Sequence, residues 1–186
     1  QTICLSATKN AKIHTYFDTP FEEIFQGEIA VNEKITSYYL ETDNKKDTLP
    51  SLLHTLPITS AIVFVNHRST AIELSDLLLR NNILSSAFSG YFDERKRIAI
   101  MSDFRKGDIR VLVATDAAAR GIDIHELSHV IHYDIPIDTE TFIHRSGRTA
   151  HQGDEGISIS LLTSEEMKSE VGIYIRMHSQ AYTPQD

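Results

Sequence analysis

Four short runs of β-branched and aliphatic residues constrain this chain most: "AIVFVN" (61–66), "IRVLVAT" (109–115), "SHVIHYDIP" (128–136) and "GISISLL" (156–162). The first is apolar at nearly every position rather than every second one, the pattern of a strand buried on both faces. "ILSSAFS" (83–89) reads as another strand, and Pro136 stops the one that precedes it. Helical patterns lie between them. "STAIELSDLLLRNN" offers Ser69 or Thr70 as N-cap and an apolar stripe through Ile72, Leu74, Leu77 and Leu78. Asp93 is expected to cap a helix over 94–106, with Ile98, Met101 and Phe104 on its core side and Gly107 just past its end. Further helices are expected from about Thr139 and from Ser164 to about Met177. Strands alternating with helices predict an α/β domain, a mostly parallel sheet covered on both sides by right-handed crossovers. In such sheets, function gathers on loops at the carboxyl ends of the strands, here 66–70, 89–93, 115–125 and 134–139.

The first residues read differently. "QTICLSAT" is a strand ending in a small polar turn, and an acidic segment with Pro20 and Gly27 follows it. Residues 1–31 are therefore expected to be a strand of a neighbouring domain plus a linker, and "EKITSYYLET" (33–42) to begin the main domain, 32–186. An opening inside an apolar run, with no basic and hydrophobic leader, suggests a piece of a longer protein. No apolar run approaches the roughly 18–20 residues that cross a bilayer, so no membrane is expected. The single cysteine, Cys4, excludes a disulfide framework and a cysteine zinc cluster and suggests a reducing, intracellular setting. A net charge of −8 argues against general stickiness toward nucleic acid. Yet Arg95, Lys96, Arg97, Arg105, Lys106 and Arg110 stand against only Asp103 and Asp108, which leaves either a local phosphate-binding patch or a solvated helix face.

Chemistry concentrates in two stretches. In "ATDAAARGIDI" (114–124), Asp116 and Asp123 flank the cation Arg120, with a hydroxyl at Thr115 and a close-approach glycine at Gly121. Carboxylates there suit ribose hydroxyls and the guanidinium suits a phosphate, unless the loop is closed by its own Arg–Asp pairs. In "HRSGRTAHQG" (144–153), helical spacing would bring His144, Arg145, Arg148 and His151 near one face, facing an anion. His125, His129 and His132 look like a metal cluster, but the last two lie on or beside a strand at odd spacing, on opposite faces, so no metal site is expected. Ser6, Ser89 and Ser146 lack the glycines of a nucleophile elbow, and Tyr38 and Tyr39 read as strand packing.

"SAT" (6–8), "VFVN" (63–66), "ATDAAARGIDI" (114–124) and "HRSGRTA" (144–150) resemble motifs III, IV, V and VI of the DEAD-box RNA helicases, in order and spacing. The likeness spans nearly the whole chain. It implies two RecA-like three-layer αβα domains, with ATP in the cleft between them and RNA across both; this chain resembles the second domain, preceded by the last strand of the first and the linker. It implies that Asp123 contacts the ATP ribose, that Arg120 and Arg148 face its phosphates, and that His144 couples the motif to the first domain. Asn66, Arg97, Thr115 and Gly121 would meet the RNA backbone, with Glu94 beside them. These contacts read sugar and phosphate rather than bases. No phosphate-binding "GxxxxGK[ST]" loop or Asp-Glu-Ala-Asp tetrad is present, so ATP and Mg²⁺ would be held mainly by the first domain. Alone, the fragment is expected to be monomeric and inactive.

Three positions depart from the family. Glu94 replaces its glutamine, where pairing with Arg97 would neutralise the charge. His67 replaces a threonine. His151 replaces the arginine finger, while Gly153 and Gly156 keep the downstream spacing. Histidine is shorter and mostly neutral at pH 7, with an ordinary pKa of about 6.5. The expected activity is ATP-dependent RNA unwinding with slow turnover; the alternative is an ATP-gated RNA clamp with impaired hydrolysis.

Overall fold

The computed structural model describes residues 33–120, 127–150 and 155–183. The strand and linker expected over 1–31 lie outside the described residues, as do Gly121, Asp123, His125 and His151.

The apolar runs become strands. β1 (Ile35–Glu41), β2 (Ala61–Phe64), β3 (Ser85–Phe88), β4 (Val111–Ala114), β5 (His129–His132), β6 (Gly156–Leu162) and β7 (Gln180–Ala181) form one sheet in the order β3-β4-β2-β5-β6-β1-β7. Every pairing is parallel. Between them run α1 (Lys45–Thr55), α2 (Arg68–Arg80), α3 (Glu94–Lys106), the single turn α4 (Asp116–Ala119), α5 (Thr139–Ser146) and α6 (Glu170–His178). Because side chains alternate along a strand, β2 serves two cores. Ala61 and Val63, with Val65 beyond the strand end, pack with Leu49, Leu53, Leu74 and Leu78 from α1 and α2. Ile62 and Phe64 pack with Ile100, Met101 and Phe104 from α3. A smaller cluster joins Phe142 of α5 to Leu162, Val171 and Ile175. Among the described residues, no helix is long and apolar enough to cross a membrane.

Local capping chemistry acts where expected at α3 and also sets the start of α5. Asp93 accepts from the Lys96 amide at 2.8 Å, and Gly107 closes α3 in the left-handed region at φ +83°. Asp138 accepts from the Thr141 amide at 2.7 Å and starts α5.

Other expectations are corrected. α2 starts at Arg68 behind His67, so Ser69 and Thr70 lie in its first turn and cap nothing. Its buried stripe is Ala71, Leu74, Ser75 and Leu78, which turns Ile72 outward. In α3, Ile98 is 63% exposed. The inward stripe there is Arg97, Ile100, Met101 and Phe104, because the Arg97 guanidinium lies over the Phe88 ring, 5.3 Å from its centroid. α1 lies in a stretch to which no element is assigned from sequence; it holds Pro50 inside the helix, where burial of Leu49, Leu52 and Leu53 outweighs the lost amide. The expected helix from Ser164 is split. A 3₁₀ turn, Glu166–Lys168, precedes α6, and Ser169 caps α6 by accepting from the Gly172 amide at 3.0 Å. Glu166 is drawn inward to Lys45, whose ammonium donates to it at 2.8 Å and to the Tyr133 carbonyl at 2.7 Å. A Cβ at Gly172 would overlap the Glu166 carbonyl group, 2.9 Å from its carbon, so only glycine lets the two helical pieces meet.

Candidate functional site

The carboxyl ends of β2, β4 and β5 are tied together by one side chain, Arg145, which is 2% exposed. Its Nε and Nη2 donate to the two carboxylate oxygens of Asp116, each at 2.7 Å. Nη1 donates to the Asp134 carbonyl at 2.7 Å, and Nη2 also donates to Asn66 Oδ1 at 3.0 Å. The guanidinium lies 5.0 Å from the Phe64 ring centroid. Asn66 completes the knot: its amide nitrogen Nδ2 donates to the Ile135 carbonyl at 3.0 Å, and its backbone N–H to Asp134 Oδ2 at 2.8 Å. The planar fork matches a carboxylate at two points, which a lysine does not do.

This arrangement corrects two readings. Asp116 pairs with Arg145 from another element, not with Arg120 in its own loop. Nor do His144, Arg145 and Arg148 share a helix face, because α5 ends at Ser146 with Gly147 as its cap; His151 lies outside the described residues. Arg145 points inward beside Phe142 and Ser146, whereas His144 is exposed. The sequence carried a signal for this: Arg145 stands three residues after Phe142, on the apolar side of the helix.

Outside the knot lies a cleft of about 430 Å³ lined by Arg120, Arg148, His144, Asp138, Glu140 and Thr141, among others. Its acidic groups already have partners. Asp116 holds Arg145, Asp138 caps α5, and Glu140 faces His144 at 3.7 Å. Arg120 and Arg148 form no ion pair among the described residues. The cleft therefore keeps two fixed positive charges for an anionic ligand. Thr149 and Ala150 are held closely to Leu127 and the start of β6. Thr149 donates its hydroxyl to the Leu127 carbonyl, and a Cβ at Gly156 would stand 2.7 Å from the Ala150 nitrogen. Ala150 has φ +61°, a conformation that glycine adopts more readily.

Of the expected RNA-facing residues, Asn66 and Thr115 follow β2 and β4, Glu94 and Arg97 lie in the first turns of α3, and Gly121 is outside the described residues. Thr115 is half-buried at the start of α4, and its hydroxyl caps no amide. Glu94 is exposed in the first turn of α3 and forms no ion pair with Arg97, which the Phe88 ring holds instead. The charge at Glu94 is thus left unneutralised by that route. Among the described residues, no group of three His, Cys, Asp or Glu side chains is placed to hold a metal ion. His129 and His132 register opposite Ala61 and Phe64, which belong to different cores, so they stand on opposite faces of the sheet.

His132 supports the knot from beneath. Its Nε2 lies 3.2 Å from Ser146 Oγ and 3.1 Å from Ser158 Oγ, and its ring packs 4.8 Å from that of Phe142. Burial holds its pKa well below 6.5, and the charge of Arg145 lowers it further. Burial brings His129 down to about 4. Between pH 6.5 and about 4 the unfolded chain therefore binds more protons than the folded one. The stability these neutral rings allow is complete above pH 6.5 and is lost as pH falls toward the folded values. Stability is therefore expected to fall between about pH 7.5 and about pH 5.5. Urea unfolding at both pH values checks this, and unchanged midpoints would contradict it.

Comparison with known proteins follows the same lines. Residues 44–153 match the family described as the helicase conserved C-terminal domain. The chain is 40% identical over 139 residues to the ATP-dependent RNA helicase fal1 of Botryotinia fuckeliana, covering 73% of this chain and 35% of that protein. It thus spans about a third of that relative's length. Among solved structures, the E. coli DEAD-box protein SrmB, bound to regulator of ribonuclease activity A, superposes with a TM-score of 0.75 at 36% identity, covering 82% of this chain and 92% of the other. S. cerevisiae Dbp5 bound to RNA and ADP BeF3 superposes with a TM-score of 0.83 at 28% identity, covering 97% of this chain and 51% of the other.

Proposed function

The chain belongs to the helicase conserved C-terminal domain family, as a RecA-like second domain of the DEAD-box RNA helicases, and from that premise we propose that it completes an ATP site shared with a first RecA-like domain of the same protein. In this reading Arg120 and Arg148 take the ATP phosphates, Asp123 takes the ribose, and His144 couples the cleft to the other domain. His151 occupies the arginine-finger position. Asn66, Arg97, Thr115 and Gly121 line the RNA backbone path, with Glu94 weakening that grip. ATP hydrolysis then opens and closes the two domains and unpairs RNA locally.

The observation that carries this reading is the cleft in which Asp116 is paired with Arg145 and Glu140 stands 3.7 Å from His144, while Arg120 and Arg148 form no ion pair among the described residues. That charge pattern suits a polyphosphate. No comparable acidic cluster for its metal ion is present among the described residues, so we assign Mg²⁺ to the first domain. The relatives' names, as ATP-dependent RNA helicases, favour an active helicase over a hydrolysis-impaired clamp.

Arg148→Ala in the full-length protein tests the assignment. RNA-stimulated ATP hydrolysis is expected to fall by on the order of 10² or more, since a preorganised cation facing the transferring phosphoryl group is lost. Hydrolysis at the wild-type rate would remove Arg148 from the ATP site.

A further inference from the structure

We propose that Tyr91 is a stacking platform for one unpaired nucleotide of the bound RNA, an inference that rests on the RNA-binding reading above. The Tyr91 ring is 85% exposed, although it stands in a loop fixed by hydrogen bonds. The Tyr91 amide donates to Ser89 Oγ at 3.3 Å, and the Phe92 amide to the Ser89 carbonyl at 3.1 Å. The Arg68 guanidinium, from the first residue of α2, lies 4.0 Å from the ring centroid. This contact joins the loops that leave β2 and β3, the same loops that lead to Asn66, Glu94 and Arg97. One face of the ring is thereby held by a cation, and its exposure leaves the other face open.

The surrounding corner repeats the pattern. Lys96 lies 3.8 Å from the Phe92 ring centroid, and Arg97, 5.3 Å from the centroid of the buried Phe88 ring, adds charge to the corner but no ring for a base. Cations interleaved with aromatic rings suit single-stranded nucleic acid, whose phosphates meet the charges and whose bases meet the rings. A base face carries no net charge, so stacking on Tyr91 is not opposed by the unneutralised carboxylate of Glu94. Stacking tolerates any base, and it requires one that is not paired in a duplex. The platform would therefore favour the unwound strand over the duplex.

The test uses the full-length protein, a fluorescent oligouridylate and a non-hydrolysable ATP analogue. Tyr91→Ala is expected to weaken binding about 10-fold, the scale of one lost stacking contact. Tyr91→Phe is expected to bind as the wild type does. An abasic site moved along the oligonucleotide should reproduce the loss at one position in the wild type and cost nothing further there in Tyr91→Ala. Wild-type affinity in Tyr91→Ala, equal weakening in Tyr91→Phe, or no sensitive abasic position overturns the platform. If Arg97→Ala weakens binding while Tyr91→Ala does not, the platform alone fails. If the wild type binds no RNA, the RNA-binding reading fails with it.

Discussion

Arg145→Ala is expected to destabilise this chain by about 3–5 kcal/mol, the scale for removing one partner of a buried, hydrogen-bonded ion pair. Arg145 is 2% exposed and donates to Asp116, the Asp134 carbonyl and Asn66. Its removal leaves those acceptors without their donor and opens a void against Phe64. Arg145→Lys keeps the charge but not the fork, and is expected to recover only part of the loss. Urea unfolding of the three proteins measures both effects. A loss under about 1 kcal/mol in Arg145→Ala would show that the knot is replaceable by solvent and packing. Because the knot fixes the ends of β2, β4 and β5 beneath the cleft, the same variant should also weaken nucleotide binding by the full-length protein.

The second large effect concerns speed. His151→Arg in the full-length protein is expected to raise single-turnover, RNA-stimulated ATP hydrolysis by on the order of 10³, within the range an arginine finger contributes in other phosphoryl-transfer enzymes. Arginine brings a permanent charge and a planar fork of donors, whereas histidine brings one donor toward the phosphate and is mostly neutral at pH 7. ATP affinity should change far less, because charge on the transferring group grows mainly in the transition state. Equal rates in the two proteins would mean that position 151 does not face the γ-phosphate, or that another group already fills the role.

Much of the architecture was legible along the chain. The runs at 61–66, 83–89, 109–115, 128–136 and 156–162 all contain strands, and Asp93 and Gly107 act where their chemistry predicts. Such signals are local: strand burial shows in consecutive apolar residues, and a cap needs only a side chain and an amide three residues away. Helix faces were less secure. Ile98 had the right spacing for the core but lost the place to Arg97, because a guanidinium can pack on Phe88 from a strand outside the helix. α1 was not assigned from sequence; the local penalty of Pro50 inside it is outweighed by leucines that find their partners only in the folded core.

By itself, then, the sequence determined the alternating layers of this domain, the order of its strands along the chain and the family resemblance carried by two charged motifs. Only the tertiary structure decided what those charges do. His144 and Arg145 are neighbours, yet one is 49% exposed at the cleft and the other is 2% exposed beneath it. Arg145 reaches Asp116 across 29 residues of sequence. Periodicity assigns a residue to a side of a helix, but a charge is tolerated inside only where a distant carboxylate and carbonyls meet it. That meeting depends on which strands lie side by side in the sheet, and no local pattern contains it.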